Sequence, residues 1–270
     1  MRSDIGNLKQ RARQVLPGNY AALIIATIIP ALIATIIETP FSNRIYNGMY
    51  TGSVTAIIIG YAGMLLISVL RSVCDAGESR MHLEAGAGRK ALIADLLYAF
   101  KNRPDRYIGY YIFFQVLTTI CMLPAAVSGS RVLSIASNAI SATGEESYTW
   151  IQILTAAWQN AGTMLIVFGV LAAVGAIAYL IIMLTLSQTT YVLLEDMDIK
   201  VMSAVKYSAN IMKGNKWALL KLYISYAGWL VLLALSLGFV SLWMMPYFEQ
   251  AKAEFHLELV HPAVETEEAY

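Results

Sequence analysis

The sequence predicts an all-α fold, a polytopic transmembrane helix bundle of five to six spans, and three observations carry that expectation. Charged residues make up 14% of the chain and hydrophobic ones 58%, where a soluble domain carries about 25% charged. The charges are also bunched, so that 14–37, 45–70, 107–130, 147–194 and 222–248 hold no Asp, Glu, Lys or Arg. Each run is long enough for a helix to cross a hydrocarbon slab, which takes about 20 apolar residues. Finally, stretches such as Met164 to Phe168 are continuously apolar, whereas a membrane β-barrel strand alternates polar and apolar positions.

The first span is expected at 20–37. Lys9, Arg11 and Arg13 precede it as they would precede the core of a signal peptide. The apolar run, however, is too long and ends at Glu38, Thr39 and Pro40 without a small-residue cleavage site, so it reads as an uncleaved span. Span two follows at 52–70, where Gly48, Gly52, Ala56 and Gly60 recur every four residues and place small side chains on one face. Such a stripe lets a second helix approach closely, within the monomer in the first instance and across a dimer seam as the alternative. Spans three, four and five are expected at 107–127, 163–187 and 218–236. A sixth, 238–258, contains Gly238, Pro246, Glu249, Lys252 and Glu254, which suits either a short return helix or an interfacial one. One transmembrane domain, 1–259, is therefore expected, followed by an acidic tail, 260–270, whose default state is disorder.

Two segments between spans read as amphipathic cytoplasmic helices. In Ala91 to Phe100, the apolar Leu92, Ile93, Leu96, Leu97 and Phe100 share a helical face around Asp95. In the second, Asp198 is placed to cap a helix striped by Ile199, Met202, Val205, Ala209 and Met212, with Gly214 as its stop. Lys213, Lys216 and Trp217 then anchor the start of span five at the interface, and Trp243 is a further interfacial anchor. Basic residues concentrate in the N-terminus, in the loop after span two and in the loop after span four, while the opposite loops carry only Arg44 and Arg131. The positive-inside bias then puts the N-terminus in the cytoplasm.

Candidate chemistry is sparse. Glu195, Asp196 and Asp198 are weak candidates for a hard cation, and equally form the acidic start expected of the following helix. His82, His256 and His261 are scattered in sequence, and Cys74 and Cys121 read as inert thiols. Glu38, at the edge of span one, reads as solvated, and Lys221 as snorkelling to the interface. No zinc-protease, nucleophile-elbow or phosphate-loop motif is present, so no catalytic or cofactor-binding residues and no cofactor are expected. A net charge of +1 argues against nucleic acid as a partner.

The stretch from Tyr191 to Leu259 resembles an uncharacterised family of bacterial integral membrane proteins, domain of unknown function 975. The likeness runs through Tyr191 to Asp196, Ser208, Met212 to Trp217, Ser225 to Trp229, and Pro246-Tyr247. Leu8-Lys9, Ala12, Gly18 to Tyr20, Asp95 to Leu97 and Phe100-Lys101 extend it over most of the chain. The sequence departs from the pattern at Asn215 and His256, and lacks a Pro-Gly bend in span four. The resemblance implies a bacterial cytoplasmic membrane and supplies no catalytic residues. In physical terms, Ser225, Ala227 and Gly228 give span five a small face for a neighbour, and Pro246 breaks or kinks the last helix.

The expected function is that of a non-enzymatic accessory or scaffold component of the membrane. Its partners would be membrane lipids and, through the cytoplasmic helices, other membrane proteins. The alternative is a small permease-like transporter for a neutral or lipid-like solute, with Gln115, Tyr179 and Gln188 lining its path. A tag fused before Met1 should stay inaccessible to impermeant antibody in intact cells; external labelling would invert the topology.

Overall fold

The computed structural model describes residues 5–141 and 149–261, all helix and connecting turns with no strand among them. The elements are α1 (Ile5–Val15), α2 (Tyr20–Thr51), α3 (Val54–Gly86), a 3-10 turn (Ile93–Leu97) running into α4 (Tyr98–Lys101), and α5 (Pro104–Ser141). They continue as α6 (Trp150–Leu186), α7 (Thr189–Glu195), α8 (Val201–Ile211), α9 (Lys216–Ile224), α10 (Gly228–Leu235) and α11 (Ser241–Val260). Among the described residues, five helical stretches are long and apolar enough to cross a membrane: Tyr20–Thr51, Val54–Gly86, Pro104–Asn138, Ala161–Glu195 and Lys216–Leu235. These fit a multi-pass membrane protein. The sixth segment forms α11, which is not among the five, and the tail beyond 261 lies outside the described residues.

The chain divides into two compact units, 113–184 on the one hand and 1–112 with 185–270 on the other. In the first, α5 and α6 pair through small residues. A side chain at Gly175 would stand 3.0 Å from the Cys121 carbonyl, and one at Gly129 would stand 2.9 Å from the Phe168 ring. Val132 and Ala136 pack there against Leu165 and Phe168. The span-four helix has no Pro-Gly bend; its irregularity is instead at Ala161, where φ is −139° and ψ 29°.

In the larger unit, α2 and α3 form a tight antiparallel hairpin. Gly52 closes α2 with φ 71°, and the Ser53 hydroxyl accepts from the Ala56 amide to open α3. The expected small-residue stripe is therefore split by a turn. Gly48 and Gly60 meet the opposite helix instead of sharing a face of their own. A Cβ at Gly48 would lie 2.7 Å from Ile57 Cγ1, and one at Gly60 2.8 Å from the Phe41 carbonyl. Gly63 makes room for the Phe41 ring. Close packing within one chain thus accounts for Gly48 and Gly60, while Gly52 serves the turn.

Helix α3 does not stop at residue 70 where its apolar run ends. It continues to Gly86, carrying Arg71, Asp75, Glu78, Arg80, His82 and Glu84, so the helix runs sixteen residues past the expected end of span two. Pairs one turn apart, Arg71–Asp75 and Arg80–Glu84, support the charged half. Helix α11 packs beside this half, and α1 packs on α11, with Leu8, Ala12 and Leu16 all buried.

The amphipathic segments also differ from expectation. Ala91 to Phe100 is a 3-10 turn followed by one helical turn, with Leu96 and Ala99 buried while Leu92, Ile93, Leu97 and Phe100 face outward. Its close approach to α3 is permitted by Gly77, where a Cβ would stand 2.0 Å from the Leu96 carbonyl oxygen. Helix α8 begins after Lys200, and Asp198 does not cap it. The Asp196 carboxylate accepts from the amides of Asp198 and Ile199. Its buried face is Ala204, Val205, Ser208 and, at its end, Met212, whereas Met202 is exposed. Ser208 is on the inner face because its hydroxyl donates to the Thr185 carbonyl at 2.9 Å.

Gly214 terminates that region with φ 83°, and Lys216 opens α9 with Trp217 exposed beside it. Trp243 is exposed near the start of α11. Ser225 and Gly228 do not form a helix-packing face. They flank a break between α9 and α10, where Ser225 donates to the Leu222 carbonyl and a Cβ on Gly228 would meet nothing within 4 Å. Pro246 is buried inside α11, which continues through it.

These contrasts separate two glycines in one experiment. Gly77→Ala should destabilise the purified protein by about 1–3 kcal/mol through overpacking against backbone. Gly228→Ile should leave the melting temperature near wild type. Thermal melts in detergent with the order reversed would refute the packing described for this unit.

Candidate functional site

A cavity of about 580 Å³ opens between α2, α3 and α11. Its position follows from the hairpin register. Gly48 lies opposite Ile57, Gly60 opposite Ile45, and the Thr27 hydroxyl donates to Glu78 at 2.6 Å. With that register, the apolar run of α2 lies beside the charged half of α3, and the two apolar runs overlap only where they end. At 1.5 Å per residue the 32-residue α2 spans about 48 Å, more than the roughly 30 Å hydrocarbon slab. Exposed large apolar residues begin at Ile29 on α2 and extend to the Gly52 turn, and on α3 they run from Val54 to Leu70. The cavity straddles the edge of this apolar band.

The wall supplied by α2 is Thr27, Leu32 and Thr35 among apolar neighbours; α3 supplies Arg71, Asp75 and Glu78. From α11 come Leu242, Met245, Glu249 and Lys252. Lys252 Nζ is 2.7 Å from Glu249 Oε2, and Arg71 Nε is 3.9 Å from Asp75 Oδ1. Burial works against the Lys252 charge, and the Glu249 carboxylate together with Tyr191 and Tyr223 acts the other way and leaves the ammonium above its ordinary value. The wall therefore presents both signs of charge beside apolar surface, which suits an amphiphilic or zwitterionic ligand.

The other face of α11 carries a buried polar chain. Gln250 Oε1 lies 2.9 Å from His82 Nδ1, which assigns the donor proton to that nitrogen. Gln250 Nε2 donates to the His82 carbonyl at 3.2 Å and to Glu254 Oε1 at 3.0 Å. His256 makes a similar arrangement lower down. Its Nδ1 meets Gln188 Oε1 at 3.1 Å, its Nε2 lies 3.2 Å from Glu195, and its ring stacks on Tyr191 at 5.0 Å. His261 Nε2 is 3.8 Å from the same carboxylate.

The acidic trio expected as a cation candidate is thus dispersed. Glu195 faces the two histidines, Asp196 holds the turn before α8, and Asp198 is exposed. Among the described residues no group of three or more His, Cys, Asp or Glu is arranged to hold a metal ion. The residues expected to line a transport path are engaged differently. Gln188 is buried in the His256 contact and Tyr179 sits edge-on to Phe114 at 6.5 Å, while Gln115 is exposed.

The three basic segments converge at one end of this unit. The buried Arg106 guanidinium donates to the carbonyls of Asp196 and Met197, both at 2.7 Å. Asn19 Oδ1 accepts from the Ala91 amide, Arg11 pairs with Glu258, and Lys9 donates to the Ser225 carbonyl at 3.0 Å. Arg80 pairs with Asp95 at 3.9 Å and lies 3.7 Å from the centre of the Tyr98 ring, pinning the 91–101 segment to α3.

Glu254 gives a pH test. Burial pushes its carboxyl above the ordinary value, more than the Gln250 hydrogen bond draws it back. Because the folded value is raised, its favourable contribution is complete below the unfolded pKa and is lost as pH rises through the folded one. Glu254→Gln should raise the melting temperature at about pH 8 and have little effect at about pH 4. An equal shift at both would show that its ionisation is not coupled to folding.

No curated protein and no solved structure matches the chain. A family model described as "Protein of unknown function (DUF975)" matches residues 1–262, and with its apolar helices and nearly full-length match the chain belongs to that family.

Proposed function

We propose that the protein is a non-enzymatic accessory or scaffold component of the bacterial cytoplasmic membrane, with its N-terminus in the cytoplasm, that works by binding other membrane components. The observation that carries this reading is the 91–101 segment. It is fixed to α3 by the Gly77–Leu96 approach and by Arg80, yet turns Leu92, Ile93, Leu97 and Phe100 outward at 55%, 51%, 51% and 37% exposure. An exposed apolar patch marks an interaction surface, and one already held rigid loses little freedom on binding. Lys90, Lys101 and Arg103 flank it and favour a site next to anionic headgroups.

A permease-like role for a neutral or lipid-like solute is the second reading, favoured by the charged cavity between α2, α3 and α11.

Crosslinking in native membrane followed by purification in nanodiscs tests the first reading. Wild-type protein should carry a stoichiometric membrane partner that the triple variant Leu92→Asn, Ile93→Asn, Leu97→Asn loses while melting normally. If wild type purifies alone, or if the variant retains the same partner, the accessory role is refuted. Solute uptake by vesicles holding the purified protein alone would establish the second reading.

A further inference from the structure

The charges of the cavity are ordered along α3. Arg71 stands at the end next to Leu32, Thr35 and Leu242, with Asp75 one turn further along and Glu78 another. About 10 Å of helix separates the first from the last. Two cations, Arg71 and Lys252, meet three carboxylates, Asp75, Glu78 and Glu249, so the lining's formal charge is 2 − 3 = −1. Lys252 is committed to Glu249 at 2.7 Å. The Arg71–Asp75 pair is long at 3.9 Å and both side chains are exposed, which leaves the guanidinium able to take another oxyanion. Glu78 accepts the Thr27 hydroxyl and has no cation within salt-bridge distance among the described residues. The wall thus offers a cation near the apolar band and a spare carboxylate about 10 Å further from it. Beside Arg71, Leu32 is 57% exposed and forms an apolar lip.

We infer that the cavity binds an amphiphile whose headgroup carries a phosphate followed by an ammonium. The phosphate sits on Arg71, the ammonium reaches Glu78 beside Asp75, and the chain leaves past Leu32 into the apolar band. The order of charges selects this chemistry. A phosphate lipid without an amine would leave the surplus carboxylate uncompensated, whereas a bare metal cation would make no use of Arg71 or the apolar lip. The volume of about 580 Å³ accommodates a headgroup and the first part of its chains, the remainder lying in the bilayer. The chain makes the ligand a membrane phospholipid with an amine-bearing headgroup, and the inference stands apart from the accessory role because it uses neither the 91–101 surface nor a protein partner.

The full-length protein in nanodiscs of equal phosphatidylethanolamine and phosphatidylglycerol provides the test, with mass spectrometry of lipid retained after transfer to detergent. Wild type should retain the ethanolamine lipid in excess by about tenfold, the ratio that a single well-placed ion pair supplies. Glu78→Gln should bring the ratio close to one. Leu32→Trp, which leaves every charge in place and narrows the lip, should lower total retention and serves as the test if Glu78→Gln folds poorly. Equal retention of both lipids by wild type, preference for phosphatidylglycerol, or undiminished ethanolamine-lipid excess in a normally melting Glu78→Gln protein would overturn the inference. Titration with soluble O-phosphoethanolamine then separates headgroup from lipid. Displacement of the lipid at matched concentration would show that the headgroup alone binds and would overturn the amphiphile, and failure to displace it supports the membrane lipid.

Discussion

The register of the α2–α3 hairpin is the constraint on which the larger unit depends. Gly48, Gly60 and Gly63 let backbone and the Phe41 ring approach where a Cβ would collide, so sliding either helix would drive side chains into these gaps. Fixing that register has a consequence beyond the hairpin. It sets the apolar run of α2 against Arg71, Asp75 and Glu78, and a charged half-helix beside an apolar one needs a polar third partner. Helix α11 is that partner.

The polar residues of α11 divide accordingly. Glu249 and Lys252, three apart, face the cavity, while Gln250 reaches His82 and donates to Glu254 four residues on. A helix with useful polar groups on two faces lacks the apolar stripe that identifies amphipathic segments. That is why 238–258 read ambiguously as return or interfacial helix: its polar residues answer groups on α3 and α2 that are distant in sequence.

The class of fold was legible because it rests on the length and spacing of apolar runs, which are local. Helix ends were less so. Span two was closed at residue 70 because charges begin at Arg71, yet nothing between 70 and 86 stops a helix, and the pairs Arg71–Asp75 and Arg80–Glu84 sustain it until Gly86 and Gly88. Attention to stop signals in place of charge would have carried α3 to its end and brought Asp75 and Glu78 into view. The spacing of Leu8, Ala12 and Leu16 at four residues would likewise have signalled the buried face of α1, which the sequence reading did not include. The exposed side of 91–101 was not legible, since Leu92 and Leu96 differ only in that Leu96 meets Gly77 from a distant helix.

Buried ionisable groups are a poor means of stabilising a helix bundle, because desolvation consumes most of what pairing returns. An apolar α11 against an apolar end of α3 would hold the hairpin equally well or better. The cavity nevertheless keeps five charged groups on two helices, α3 and α11, with the Lys252–Glu249 pair on one face of α11 and the Gln250 and Glu254 side chains that continue from His82 on the other. The polar chain positions α11 against α3 by directional bonds that tolerate little sliding, and this in turn holds Glu249 and Lys252 at the level of Glu78. The two faces of α11 therefore act together: the inner face spends stability on fixing the helix, and the outer face holds Lys252 on Glu249, so that Arg71 and Glu78 of α3 stay available about two turns apart at a membrane edge, where a ligand carrying the complementary order is bound with both ends satisfied.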